Sequence, residues 1–195
     1  TAFQAIAARF PGVERSLANS AGTLLGKEFH LEMVRPGIAL YGSKPFKNCT
    51  SKLLESIVLK GNIAQVRQID LPETVGYGAS YRATGPRRIA TVSVGYADGY
   101  PRGLSNAGFA IVDGVQVPVV GRVSMDLITL DVSALPLSRC AVGTQATLLG
   151  EGVDIDNLAE AAGTISYEIL THLGRRYHRA YKGAVDPRPG GPSAG

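Results

Sequence analysis

The chain has 195 residues, of which 45% are hydrophobic and 18% charged, enough apolar material for a core but with no run of about 18 apolar residues able to span a membrane. The formal charge of +4 invites a nucleic-acid reading, yet no aromatic-plus-basic RNA signature or zinc-finger spacing accompanies it. Lysines and arginines are scattered, with one dense cluster at Arg175–Arg176 and Arg179, so the balance reads as a solvated basic surface or a pocket for an anion and no nucleic-acid partner is expected.

The opening TAFQAIAARFPG has no initiating Met and no basic region followed by an apolar run, so it does not read as a secretion signal, and the chain is expected to be a piece of something longer. Residues 1–46 carry two strand-like pieces, around Glu14–Ala18 and Glu32–Leu40, with a brief helical turn at Ala21–Gly26 between them. That is too little for a domain and suggests the last strands of an α/β unit. From about Thr50 the pattern changes. Leu53–Ile63 opens a strand region, Arg88–Val94 alternates as a half-buried strand does, and short strands are expected at Phe109–Val112, Val117–Val120, Leu127–Val132 and Thr147–Leu149. Asp113-Gly114 between two apolar runs predicts a hairpin, and Glu151-Gly152 another turn. Near the end the period becomes helical. Asp156 is expected to cap a helix through Leu158–Ala162 that Gly163 ends, and Thr164 to cap a second whose Ile165, Ile169 and Leu173 share a face. The Pro- and Gly-rich residues 184–195 are expected to be disordered.

Cys49 and Cys140 are far apart without a Cys-x-x-Cys, and His30, His172 and His178 form no ligand set, so no metal site is expected and a reducing, cytoplasmic setting suits the composition. Arg35-Pro36-Gly37 ends an apolar strand. By itself Arg35 reads as a surface arginine before a turn, or as a guanidinium where a barrel strand meets its loop. Ser20 and Gly37-Ile38 are candidate donors to an anion, because loops after the closing strands of a TIM barrel recurrently bind phosphate. Gly76-Tyr77-Gly78 and Gly95-Tyr96 place tyrosines in glycine turns, either as turn packing or as groups aimed outward.

Six segments, SLANSAG (16–22), VRPGIALYG (34–42), VGYGASY (75–81), VGYADGYPR (94–102), VGRVSMD (120–126) and TISYE (164–168), resemble successive signatures of the alanine racemase family, in the family's order. The resemblance implies a TIM-type barrel holding pyridoxal 5′-phosphate, followed by a mostly β, barrel-like domain with C-terminal helices. Residues 1–46 then correspond to the barrel's closing strands and 50–183 to the second domain. Ser20, Gly37, Ile38 and Tyr167 match positions that bind the cofactor phosphate, and Arg35 matches the arginine facing the pyridine nitrogen. A guanidinium accepts no hydrogen bond, so it would keep that nitrogen unprotonated and the ring a weaker electron sink, which suits a racemase.

Tyr77 matches the catalytic tyrosine, which serves one face of the substrate while the cofactor-bearing lysine serves the other. Met125 matches the backbone donor to the substrate carboxylate, Tyr96 an entrance tyrosine, and Arg102, Arg122 and Asp126 positions along the entrance corridor. In the family Tyr77, Tyr96 and Met125 act on the opposite subunit's cofactor, so a head-to-tail homodimer is implied. Two departures stand out: Ser16 occupies the place of a histidine that supports the arginine in many members, and Ser124 a place that is often Cys. No lysine here precedes the closing strands, so this chain alone is not expected to racemise alanine. A broader serine or lysine racemase and a non-catalytic dimerisation fragment are the competing readings.

Overall fold

Two sheets with different hydrogen-bonding styles divide the chain. The computed structural model describes residues 2–183; the tail expected to be disordered lies outside them. After the short helix α1 (Ala2–Ala7), strands β1 (Ser16–Asn19) and β2 (Met33–Arg35) pair in parallel, separated by α2 (Ser20–Leu25), whose Asn19 cap accepts the Gly22 amide at 3.1 Å. The predicted strand through Leu40 stops at Arg35 instead. Pro36 has no amide to give, and Gly37, at φ −106° and ψ −81°, turns the chain into a 3₁₀ turn over Ile38–Tyr41. Gly42, at φ +89°, closes that turn, and a Cβ there would lie 2.7 Å from the Leu54 carbonyl oxygen. Residues 53–58 therefore pass across this turn, with the Ser56 hydroxyl donating to the Leu40 carbonyl at 3.0 Å, and are not the start of a strand.

The long strand β3 (Leu59–Ile69) opens the second sheet. A small hairpin, β4 (Thr74–Val75) with β5 (Tyr81–Arg82), precedes β6 (Arg87–Val92), β7 (Phe109–Val112), β8 (Val115–Pro118), β9 (Ile128–Asp131) and β10 (Gln145–Leu149). Six of these form one antiparallel sheet in the order β8-β7-β10-β3-β6-β9. The sheet nearly closes on itself: Val119 bridges Leu130, and the Val120 amide donates to Thr129 at 2.9 Å. Both edge strands are thereby occupied. Alternation places Ala110, Val112, Ile128 and Leu130 inside, at 0–1% exposure. The Asp113-Gly114 hairpin forms as predicted, with φ of +46° and +76°, which suits a type I′ turn.

Two helices complete the fold, α3 (Ile155–Ala162) and α4 (Ser166–His172). Asp154, not Asp156, caps α3, accepting the amides of Asp156 and Asn157. Asp156 is engaged elsewhere: its two oxygens accept the Ser43 hydroxyl at 2.6 Å and the Lys44 amide at 2.9 Å. Ser43 is fully buried and spends its one proton on Asp156, so Ser166 donates to Ser43 across 2.6 Å. Thr164 does not cap α4 but hydrogen-bonds the Glu168 carboxylate, and Ile165 lies 63% exposed while Ile169 is buried. The predicted stripe holds at Ile169 and at Leu173, which packs against the core, but at its start Ser166, drawn inward by Ser43, takes the place expected for Ile165.

Two predictions follow from the buried polar groups. Asp156→Ala leaves one proton of the Ser43–Ser166 pair and the Lys44 amide without their acceptor and should cost about 2 kcal/mol, read by urea unfolding. The hydroxyls of Tyr100 and Tyr177 are buried with no hydrogen-bond partner among the described residues. Burial pushes both phenols well above the ordinary tyrosine value, and for Tyr177 the nearby Asp98 charge adds to it. An unfolded tyrosine ionises near pH 10, so the stability from these neutral phenols is present below that pH and is lost as pH rises beyond it. An absorbance titration should leave Tyr100 and Tyr177 neutral until the chain unfolds.

Candidate active site

The first group of candidate residues stands where the parallel strands end. Ser20 is 3% exposed, and its hydroxyl oxygen accepts the amides of Gly37 at 2.8 Å and Ala39 at 3.2 Å. Those bonds fill its lone pairs and leave its proton to donate. Ile38 opens the 3₁₀ turn, where an amide has no carbonyl partner within the turn. Open space surrounds Gly37, where a Cβ would meet nothing within 4 Å. Arg35 donates to the Ser16 hydroxyl across the β1–β2 pair, and that bond holds the guanidinium. Tyr167 is half-exposed at the start of α4, next to the Ser166 that Ser43 grips.

The second group lies on turns at one rim of the β barrel. Tyr77 sits at the tip of the β4–β5 hairpin, 74% exposed, between glycines at φ +78° and +69°. Val75 anchors that hairpin in a small core with Ile69, Ala83, Ile89 and Val120. Asn106 ties it to the neighbouring loop, donating to the Ser80 carbonyl at 3.3 Å and accepting the Gly121 amide at 2.6 Å. A Cβ on Gly76 would lie 2.8 Å from the Arg122 amide, and one on Gly78 would lie 3.7 Å from the Arg122 guanidinium, so that positive charge flanks the Tyr77 turn.

Tyr96 opens a second turn, laid directly on Met125. The Tyr96 amide donates to Ser124 at 3.0 Å and the Ala97 amide to Met125 at 2.9 Å. Gly95 permits this approach, since a Cβ there would fall 2.3 Å from the Met125 carbonyl oxygen. Arg102 starts a further turn, Arg102–Leu104, exposed at Arg102 and buried at Leu104. No hydrogen bond or ion pair among the described residues joins the second group to the first. The described residues hold no cluster of metal-binding side chains, Cys49 and Cys140 are both free, and no described helix is long and apolar enough to cross a membrane.

Two family models match this chain: "Alanine racemase, N-terminal domain" over residues 1–45 and "Alanine racemase, C-terminal domain" over residues 56–181. The chain belongs to the alanine racemase family. It is 51% identical over 181 residues to an alanine racemase of Rhodospirillum rubrum, covering 93% of this chain and 48% of that protein. An alanine racemase of Methylobacterium sp. (strain 4-46) is 52% identical over 179 residues, covering 92% of this chain and 49% of the relative. Among solved structures, alanine racemase from Bartonella henselae with covalently bound pyridoxal phosphate superposes with a TM-score of 0.84 at 39% identity, over 92% of this chain and 50% of that one. Alanine racemase from Streptomyces coelicolor A3(2) gives 0.85 at 34% identity, over 94% and 50%. The chain spans about half the length of the relatives it matches.

Sequence reasoning missed the residues that brace the second group. Arg176 pairs with Asp98 at 3.2 Å and with Asp126 at 2.8 Å; the only signal for it was its place in the dense basic cluster. Asp98 and Gly95 lay inside a quoted motif, but no role suggested itself until their contacts were visible. Gly95→Ala should lower stability by about 3 kcal/mol, because backbone must move to admit the methyl group. Gly85→Ala, where a Cβ would meet nothing within 4 Å, should fall within about 0.5 kcal/mol of the unsubstituted chain, both substitutions being read by thermal unfolding.

Proposed function

We propose that this chain is the second half of an alanine racemase that uses pyridoxal 5′-phosphate to interconvert L- and D-alanine, with residues 1–46 closing the cofactor-binding barrel and 50–183 forming the second domain. The observation that carries the reading is the first group's chemistry: a buried serine with a free proton, amides at Gly37 and Ile38, and a braced Arg35, all on the turns that end two parallel strands. This donor set fits a phosphate and, beside it, a ring nitrogen that accepts but does not donate. Ser20, Gly37, Ile38 and Tyr167 would hold the phosphate. Arg35, steadied by Ser16, would donate to the ring nitrogen.

When bound, pyridoxal phosphate supplies the electron sink that makes the substrate's α-hydrogen acidic. Tyr77 would then take or return the proton on one face of the α-carbon, with the lysine that carries the cofactor in this family serving the other face. The Met125 amide would receive the substrate carboxylate. Tyr96 would line the entrance, and Arg102, Arg122 and Asp126 the corridor beyond it.

The same reading asks for two chains arranged head to tail. Tyr77, Tyr96, Met125 and Leu127 are 42–74% exposed and lie on neighbouring turns, an apolar-aromatic face of the kind that a partner covers. Helix α4 carries Tyr167 at one end, and at the other the Gly174 amide donates to Asp98 under the Tyr96 turn at 3.1 Å. No hydrogen bond or ion pair among the described residues links the two groups, which is consistent with each group serving a different cofactor. The free cysteines suit a reducing, cytoplasmic setting.

Joining this chain to the N-terminal half of a relative tests the reading. The joined protein should bind pyridoxal phosphate with visible absorbance, sediment as a dimer and racemise alanine. Tyr77→Phe should lower turnover by about 10²–10⁴-fold with the absorbance retained. Subunits carrying Tyr77→Phe, mixed with subunits carrying Arg35→Ala, should recover part of the activity that neither shows alone. Bound cofactor without alanine turnover, or faster turnover of serine or lysine, would overturn the proposal.

A further inference from the structure

Arg176 lies in none of the six motifs and forms no part of the groups described above as touching cofactor or substrate, yet it joins two of their turns. Its Nε faces Asp98 Oδ1 at 3.2 Å and its Nη2 faces Asp126 Oδ1 at 2.8 Å. The other oxygen of Asp98 accepts the Gly95 amide at 2.8 Å, and the Asp98 side chain is only 9% exposed. Asp98 belongs to the turn that carries Tyr96, and Asp126 follows Met125. One planar guanidinium therefore spans both turns, a geometry that a lysine's single ammonium reproduces poorly. The chain that delivers Arg176 is itself pinned beneath the Tyr96 turn, with the Gly174 amide on the Asp98 carbonyl at 3.1 Å and Gly99 packed against the His172 carbonyl.

We propose that Arg176 is a positioning residue that locks the Tyr96 turn onto the Met125–Asp126 turn and thereby aims the Met125 amide at the substrate carboxylate. The substrate's identity rests on the racemase reading; the lock itself does not. The Arg176 and Asp126 side chains are about half exposed, so their pair adds little to global stability. Its consequence is local. Without the guanidinium, the Asp98 and Asp126 carboxylates lose the cation between them, and two amide bonds, from Tyr96 and Ala97, are left to hold the turns together. Like charges then press the turns apart. The neighbouring Tyr177 phenol stays neutral in its buried setting and adds no third negative charge beside the two carboxylates.

The test separates the lock from the chemistry. In the 195-residue chain, Arg176→Ala should speed hydrogen exchange at the Tyr96 and Ala97 amides by about tenfold while β6 amides stay unchanged. In the protein joined to a relative's N-terminal half, the same substitution should raise KM for alanine by about tenfold with kcat within about twofold. Arg176→Lys should recover part of the KM loss. Adding Asp126→Asn to Arg176→Ala should recover part as well, because one of the repelling charges is gone. Unchanged exchange at Tyr96 and Ala97 would overturn the lock. Faster exchange with unchanged KM in an active enzyme would overturn its role in aiming Met125. An inactive unsubstituted protein would overturn the racemase reading and the carboxylate role with it, while the exchange experiment would still decide the lock.

Discussion

Closure of the antiparallel sheet is the constraint on which the rest of the molecule depends. When Val119 bridges Leu130, the loop from Val120 to Leu127 is pinned between two strands, and β9 pairs with β6 on its far side. The end of β6 leads into Gly95 and Tyr96, so the closing contact brings the Tyr96 turn and the Met125 turn onto the same rim. The hairpin bearing Tyr77 reaches that rim through Val75 and Val120 in the second small core. An open sheet would leave these three turns on unrelated edges, each free to move by itself. In the closed sheet they are spaced by backbone hydrogen bonds and by glycines that tolerate no added methyl group.

Helix α4 extends that order to the other end of the molecule. Its first turn is held by the buried Ser43–Asp156–Ser166 cluster, which joins the 3₁₀ turn after β2 to both C-terminal helices. Its last turn and the residues beyond it press on Gly99 and Asp98. A short rigid element thus connects the proposed phosphate turn to the proposed carboxylate turn without bringing their functional groups together.

Arg35 and Ser16 show how a short side chain can brace a long one: the Ser16 hydroxyl on β1 accepts from the Arg35 guanidinium on β2. Ser16 stands opposite Met33 in the β1–β2 pair, and the long Arg35 side chain reaches back two residues along the strand to its hydroxyl.

Much of the fold was legible from local chemistry. Asp113-Gly114 announced its turn because positive φ at two successive residues is a demand that few residue pairs meet, and Pro36-Gly37 marked the end of a strand for a comparable reason, although the predicted strand ran past it. The quoted motifs carried the proposed site residues one by one. Ambiguity appeared where two residues could perform the same local task. Asp154 and Asp156 are both competent helix caps, and the choice fell to Asp154 because Asp156 is claimed by Ser43 and Lys44, far away in the chain. The stripe on α4 lost only its first member, because the buried Ser166 bond outweighed the burial of Ile165. By itself, then, the sequence determined the elements, their turns and the chemical character of each candidate group, since these depend on neighbours within a few residues. Only the tertiary structure decided which carboxylates Arg176 bridges, which turn Gly95 must admit and which serine Asp156 serves, because those partners meet only once the sheet has closed and the helices have docked.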